Sequence, residues 1–127
     1  MGLKRRDVYP SLTISRERLA TLRALCLGLP DATEKMAWGD PTWRVGGKIF
    51  AMQKGNYNGG RPSVWFKAAD GAQQMLVEPS RPHFFVPPYV GNKGWVGVYL
   101  DGEAIEWGEL ENLIAKSCSI ISGSRRV

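Results

Sequence analysis

Trp38-Gly39-Asp40-Pro41-Thr42-Trp43-Arg44-Val45-Gly46-Gly47-Lys48-Ile49-Phe50-Ala51 is the run on which a reading of this chain turns. Gly46-Gly47 separates Trp43-Arg44-Val45 from Lys48-Ile49-Phe50-Ala51-Met52. Both central positions of a two-residue hairpin turn need positive φ, which glycine adopts at no steric cost. The run therefore reads as a β-hairpin. Asp40-Pro41 reads as the turn before it, because Asp-Pro commonly starts turns.

A two-residue turn also fixes the register. Val45 pairs with Lys48, Arg44 with Ile49 and Trp43 with Phe50, and cross-strand partners share a face. Trp43, Val45, Phe50 and Met52 are then expected in the core, with Thr42, Arg44, Ile49, Ala51 and Gln53 opposite. Two more runs extend the sheet. Ser63-Val64-Trp65-Phe66-Lys67 turns Val64 and Phe66 inward, leaving Ser63, Trp65 and Lys67 outward. Trp95 to Leu100 alternates cleanly, with Val96, Val98 and Leu100 inward and Trp95, Gly97 and Tyr99 outward. Residues 33–38 form a further strand.

Helices are expected on either side of these strands. Ser15 is a good N-cap, with Ile14 and Leu19 placed to staple across it. Leu19, Leu22, Cys26 and Leu29 make one apolar stripe, and Gly28 and Pro30 stop a helix over 15–27. A short helix is expected over Asp70–Val77. The last helix, about 107–122, has the stripe Trp107, Leu110, Leu113, Ile114 and Ile121, with acids near its positive N-terminal end. Residues 78–94, with Pro79, Pro82, Pro87 and Pro88, read as a long irregular segment. Hairpin-linked strands with helices at both ends imply an α+β fold, an antiparallel sheet with helices packed on one face. The chain of 127 residues fits a single domain over 14–122, between a basic leader 1–13 and a basic tail 123–127.

Composition narrows the function classes. No apolar run approaches the ~20 residues of a membrane span, and Met1–Tyr9 is followed by no apolar core of signal-peptide length. A cytoplasmic protein, off the membrane, is expected. Cys26 and Cys118 are expected as buried reduced thiols, and a single His83 argues against a zinc site. The net charge of +5 sits largely on the termini: Lys4, Arg5, Arg6, Arg125 and Arg126 are five of the 17 basic residues, and the other 12 match the 12 acids. Asp101, Glu103, Glu106, Glu109 and Glu111 crowd one stretch, so the rest of the body is basic.

Reactive groups do not assemble into a catalytic set. His83 beside Phe84-Phe85 reads as a packed or surface residue, and Asp40 as a turn residue more readily than as a catalytic carboxylate. The acids of 101–111 fit no calcium loop. Gly91-Asn92-Lys93-Gly94 precedes a strand, not a helix, and lacks the spacing of a phosphate-binding loop. A non-enzymatic module with no catalytic residue, cofactor or metal is expected.

If helices cover one side only, the open face carries Arg44, Lys67, Trp65, Trp95, Tyr99 and Ile49, with Lys48 and Lys93 at its margins. Aromatics interleaved with cations suit nucleic acid, by stacking on bases and pairing with phosphates. Arg44, Lys48, Trp65, Lys67, Lys93, Trp95 and Tyr99 are the candidate contact residues. The same groups suit a protein partner, as in an interaction or chaperone-like module. In the third alternative the 78–94 segment folds over these aromatics and buries them. A monomer is expected.

Three motifs in order carry a family resemblance: Gly39 to Ala51 as quoted above, Arg61-Pro62-Ser63-Val64-Trp65-Phe66-Lys67, and Pro88-Tyr89-Val90-Gly91-Asn92-Lys93-Gly94-Trp95-Val96-Gly97. With Leu29-Pro30 and the Trp107-x-x-Leu110 opening of the last helix, they resemble the MmcQ/YjbR family across residues 15–122. The resemblance implies a frataxin-like (CyaY-like) two-layer sandwich in a small bacterial protein of a kind often labelled DNA-binding. Iron handling does not carry over, because frataxin-type binding needs an acidic first helix and this one sets Arg16, Arg18 and Arg23 against Glu17. Cys118 stands where such sequences often have an aromatic.

Overall fold

The computed structural model describes residues 14–102 and 105–123, so the leader, residues 103–104 and the tail from 124 onward lie outside the described residues. In chain order the elements are α1 (Arg16–Leu27), β1 (Thr33–Ala37), β2 (Asp40–Val45), β3 (Lys48–Tyr57), β4 (Arg61–Lys67), α2 (Ala72–Leu76), β5 (Phe84–Phe85), a 3-10 turn (Gly91–Lys93), β6 (Trp95–Tyr99) and α3 (Trp107–Gly123). The strands form one antiparallel sheet of six in the order β1-β2-β3-β4-β6-β5. This is the expected α+β architecture. Among the described residues no helix is long and apolar enough to cross a membrane.

The helices gather on one side. The hydroxyl of Ser15 accepts from the Arg18 N–H at 3.1 Å, starting α1 where its sequence predicts. α1 buries Leu22 and Cys26, and α3 buries Leu110, Ile114 and Cys118, all against Trp43, Phe50, Val64, Phe66, Val96 and Val98 of the sheet. Each Leu- or Phe-sized side chain so buried stabilises by roughly 2 kcal/mol. Cys26 and Cys118 are free thiols in this core, and burial raises the pKa of both. At the edge, Glu34 ties α1 to two strands. Arg23 donates to its two oxygens at 2.8 and 3.1 Å, and the Trp43 indole N–H donates at 2.9 Å.

The register departs from expectation at one residue. Val45 pairs with Lys48 and Arg44 with Ile49, as the glycine turn requires, but Trp43 then pairs with Ala51 and not with Phe50. Phe50 is the extra residue of a β-bulge. Its carbonyl accepts from the buried Ser117 hydroxyl of α3 at 2.7 Å, and Ser117 in turn accepts from the Lys67 N–H at 2.9 Å. One extra residue inverts the parity of everything beyond it. Met52, expected in the core, therefore lies on the opposite face, while Ala51 and Gln53 turn into the core. Gln53 is fully buried and neither atom of its amide has a protein partner.

A second departure concerns the turn before the hairpin. Asp40 and Pro41 belong to β2, paired with Ala37 and Met36, and the turn is Trp38-Gly39, with φ of 53° and 85°. Positive φ at both central positions makes this the same kind of turn as Gly46-Gly47. The segment 78–94 also holds more structure than its prolines suggest. Phe84-Phe85 adds an edge strand, opposite Val98 and Gly97 of β6.

Candidate functional site

The helix-free face is laid out by the ladders. Lys35, Thr42, Met52, Trp65 and Gly97 are successive cross-strand neighbours, so they form one row across this face. Thr33, Arg44 and Ile49 make a row on one side of it, which Lys67 and Trp95 continue on β4 and β6; Lys54, Ser63 and Tyr99 make the row on the other side. Trp65, Trp95 and Tyr99 point to this face as expected, but they are not its solvent surface. They are 5%, 8% and 8% exposed.

The cover comes from the 78–94 segment. Phe85 stacks on Tyr99 at 4.3 Å between ring centroids and meets Trp65 edge-on at 6.4 Å. Phe85 lies flat across β6 because Gly97 has no side chain: a Cβ there would stand 2.2 Å from Phe85 Cζ. Val90 packs beside it against Met52, Trp65 and Trp95. Of the three alternatives, burial by the loop therefore describes these aromatics. Tyr99 is further enclosed by the Arg61 guanidinium, 3.6 Å from its ring, and by Asn58, which donates to its hydroxyl at 2.8 Å. Arg61 itself is paired with Asp101 through bonds of 2.8 and 2.9 Å.

The predicted cations divide into two groups. Arg44 stays on the open face, where its Nε donates to Thr42 Oγ1 at 3.2 Å. Lys67 also stays there, and its ammonium donates to the Lys93 carbonyl, stitching the end of β4 to the 3-10 turn. Those two lysines flank a polar recess of about 390 Å³ that Asp70, Gln73 and Asn92 also line. Lys48 does not join the open face. It is the neighbour of Val45, a core residue, so it projects to the helix side at the hairpin tip.

What remains open is a groove of about 740 Å³ lined by Trp38, Met52, Lys54, Trp65, Pro88, Tyr89 and Val90. Met52 reaches it only because the bulge turned it outward. Trp38 and Tyr89 are 78% and 90% exposed, and their backbones have φ of 53° and 67°. A non-glycine residue held in this left-handed region costs roughly 1–2 kcal/mol, and with so little of either ring buried, packing does not offset it. Lys54 extends over the groove, its ammonium 5.2 Å from the centroid of the Trp38 ring and 5.8 Å from that of Trp65. The Trp65 indole is fixed beneath by its bond to Ser63 Oγ at 2.9 Å.

Trp38, Lys54 and Tyr89 escaped the sequence reading. The available signal was Trp38-Gly39 itself, a turn in which a large aromatic stands where Asn or Gly is usual.

The electrostatics of the two faces differ. Lys35, Arg44, Lys54 and Lys67 lie on the open side. Among the described residues the ion pairs are Arg23–Glu34, Arg61–Asp101 and Arg81–Glu109, and none involves those four cations. Asp40, beside Lys54, is buried; desolvation raises its pKa, with Lys54 and a Gly55 N–H opposing that shift. Glu106, Glu109 and Glu111 belong to α3 and its approach, on the covered side. No three His, Cys, Asp or Glu among the described residues come together as a metal site would require.

The fold has known counterparts. A Deinococcus radiodurans protein of domain family DUF419 is similar over 85% of this chain and 79% of its own, with a TM-score of 0.66 at 18% identity. A Pseudomonas syringae protein is similar over 84% of this chain and 98% of its own, with a TM-score of 0.60 at 16% identity. Identities this low speak to the fold alone. No curated protein matches the sequence. The YjbR family model matches residues 27–118, from the end of α1 through every strand of the sheet into α3, and the chain thus belongs to the YjbR family.

Proposed function

We propose that this protein is a non-enzymatic, cytoplasmic module that binds nucleic acid on the open face of its sheet, acting as a monomer. The observation that carries the reading is the segregation of Lys35, Arg44, Lys54 and Lys67 onto the face that also presents Trp38 and Tyr89. Cations spread over one face attract a phosphate backbone, and exposed rings supply contacts to bases. The contact set is therefore revised from the sequence reading. Trp65, Trp95 and Tyr99 become the buried support, and Trp38 and Tyr89 the contacts. The free thiols of Cys26 and Cys118 fit a reducing compartment, and the DNA-binding label of the resembled family agrees with the reading.

Fluorescence anisotropy with labelled single- and double-stranded oligonucleotides tests it. Binding at low salt is expected, weakening steeply as salt rises because each neutralised phosphate releases counterions. Absence of binding to either form at low salt would overturn it.

A protein partner is the second reading, favoured by the apolar floor of the groove, Met52, Trp65, Pro88 and Val90. Trp and Tyr at the rim of such a floor are typical interface anchors. Co-purification of a partner that survives nuclease and high salt would favour this reading over the first.

A further inference from the structure

We infer that the groove between Trp38 and Tyr89 selects single strands over duplex, holding an unstacked base against Trp38 with the adjoining phosphate on Lys54. This rests on the nucleic-acid reading and specifies its ligand.

Three features point to it. Trp38 and Tyr89 are exposed by 78% and 90%, so ring surface is available for stacking, on Trp38 alongside the contact with Lys54. A stacking ring needs a base with a free face; duplex bases hide theirs in the helical stack, whereas a single strand can splay its bases out. The cation is placed for such a strand. Lys54 lines the groove and its Nζ lies over both Trp38 and Trp65, so a base placed on Trp38 would have a cation beside it to meet the adjoining phosphate. The groove volume of about 740 Å³ also falls in the range of clefts that enclose small organic groups, ~300–1,000 Å³. Lys35 stands on the same face in the row next to that of Lys54, and Arg44 and Lys67 in the row beyond, so further cations are present there for neighbouring phosphates.

The Trp38 backbone supplies an unusually clean test. Glycine adopts a φ of 53° without strain, so Trp38→Gly removes the ring while relaxing the turn. The same holds for Tyr89→Gly at 67°. We expect a labelled oligothymidylate of about a dozen nucleotides to bind the wild-type protein roughly ten-fold tighter than a duplex of equal length. Either glycine variant should weaken single-strand binding about ten-fold without lowering the thermal midpoint, and should leave duplex binding where it was. Quenching of tryptophan emission by the single strand should disappear in Trp38→Gly.

Equal affinity for single strand and duplex, unchanged by either variant, would overturn the inference and leave the nucleic-acid reading standing. A single-strand preference that both glycine variants retain would also overturn it, by removing the groove from the contact. Failure of both nucleic-acid forms to bind at low salt would end both readings in favour of a protein partner.

Discussion

The Ser117 hydroxyl of α3 donates to the Phe50 carbonyl at 2.7 Å, joining helix to sheet at the bulge of β3. It also accepts from the Lys67 N–H at 2.9 Å, so one buried side chain bonds a carbonyl at the bulge and an amide at the end of β4. Ser117→Ala should strand both groups. Leaving buried backbone groups unsatisfied costs about 1–3 kcal/mol, so the urea midpoint should fall while the slope stays constant. An unchanged midpoint would mean that another group satisfies the Phe50 carbonyl.

Gly97→Ala should expel Phe85. The new methyl would lie 2.2–2.7 Å from three ring carbons of Phe85, and the ring has Tyr99 and Trp65 against it. Overpacking of this kind costs about 1–3 kcal/mol. The more diagnostic readout is optical. Trp65 and Trp95 should become accessible to a neutral quencher, whereas a merely destabilised but covered sheet would keep them protected.

Gln53→Met should stabilise the fold. Gln53 is fully buried and both its amide atoms lack a protein partner, an arrangement that costs about 1–3 kcal/mol unless water is enclosed beside it. Methionine keeps the length and removes the polar atoms. A raised urea midpoint is expected, and a lowered one would indicate an enclosed water bound by the amide.

Two carboxylates give opposite pH dependences. Bonds from Arg23 and Trp43 hold Glu34 below the usual carboxylate range, so its stabilisation is present above the ordinary value of about 4.3 and is lost as pH falls through the lowered one. Burial raises Asp40, so the folded state holds that proton longer than the unfolded chain does. Its contribution declines as pH rises from about 3.9 through the raised value. Asp40→Asn should therefore gain on the wild type as pH rises through that window, and Glu34→Gln should lose most at neutral pH and least in acid. Denaturation midpoints at a series of pH values check both signs. A pH-independent difference for Asp40→Asn would remove the raised titration.

The hairpin at Gly46-Gly47, the capped first helix, the parity of β4 and β6 and the acid-headed last helix were legible in the chain, because each rests on local chemistry. The bulge was not. Nothing adjacent to Phe50 announces an extra residue, and the group that accommodates it, Ser117, is 67 positions away. That one residue moved Met52 to the open face and Gln53 to the core. Asp40-Pro41 misled for a related reason: its turn preference is real but weak, and pairing of Ala37 with Asp40 overrode it. Parity placed Trp65, Trp95 and Tyr99 on the right face. It carried no information on Phe85, which reaches them from an edge strand only two residues long. Trp38 and Tyr89 were passed over because turns and loops are read for backbone geometry, while their side chains are ignored.

Trp38 sits in a turn and Tyr89 in a loop, both outside the hydrogen-bonded ladder, with their rings largely in solvent. Neither ring belongs to the buried clusters that hold the frame together. Under the proposed reading, recognition and architecture would be separately encoded, in the manner of an antibody domain whose loops vary on a constant scaffold. Exchanging two codons would redraw the rim of the groove, while the sheet beneath, sealed by Phe85 over Gly97, stays as it is.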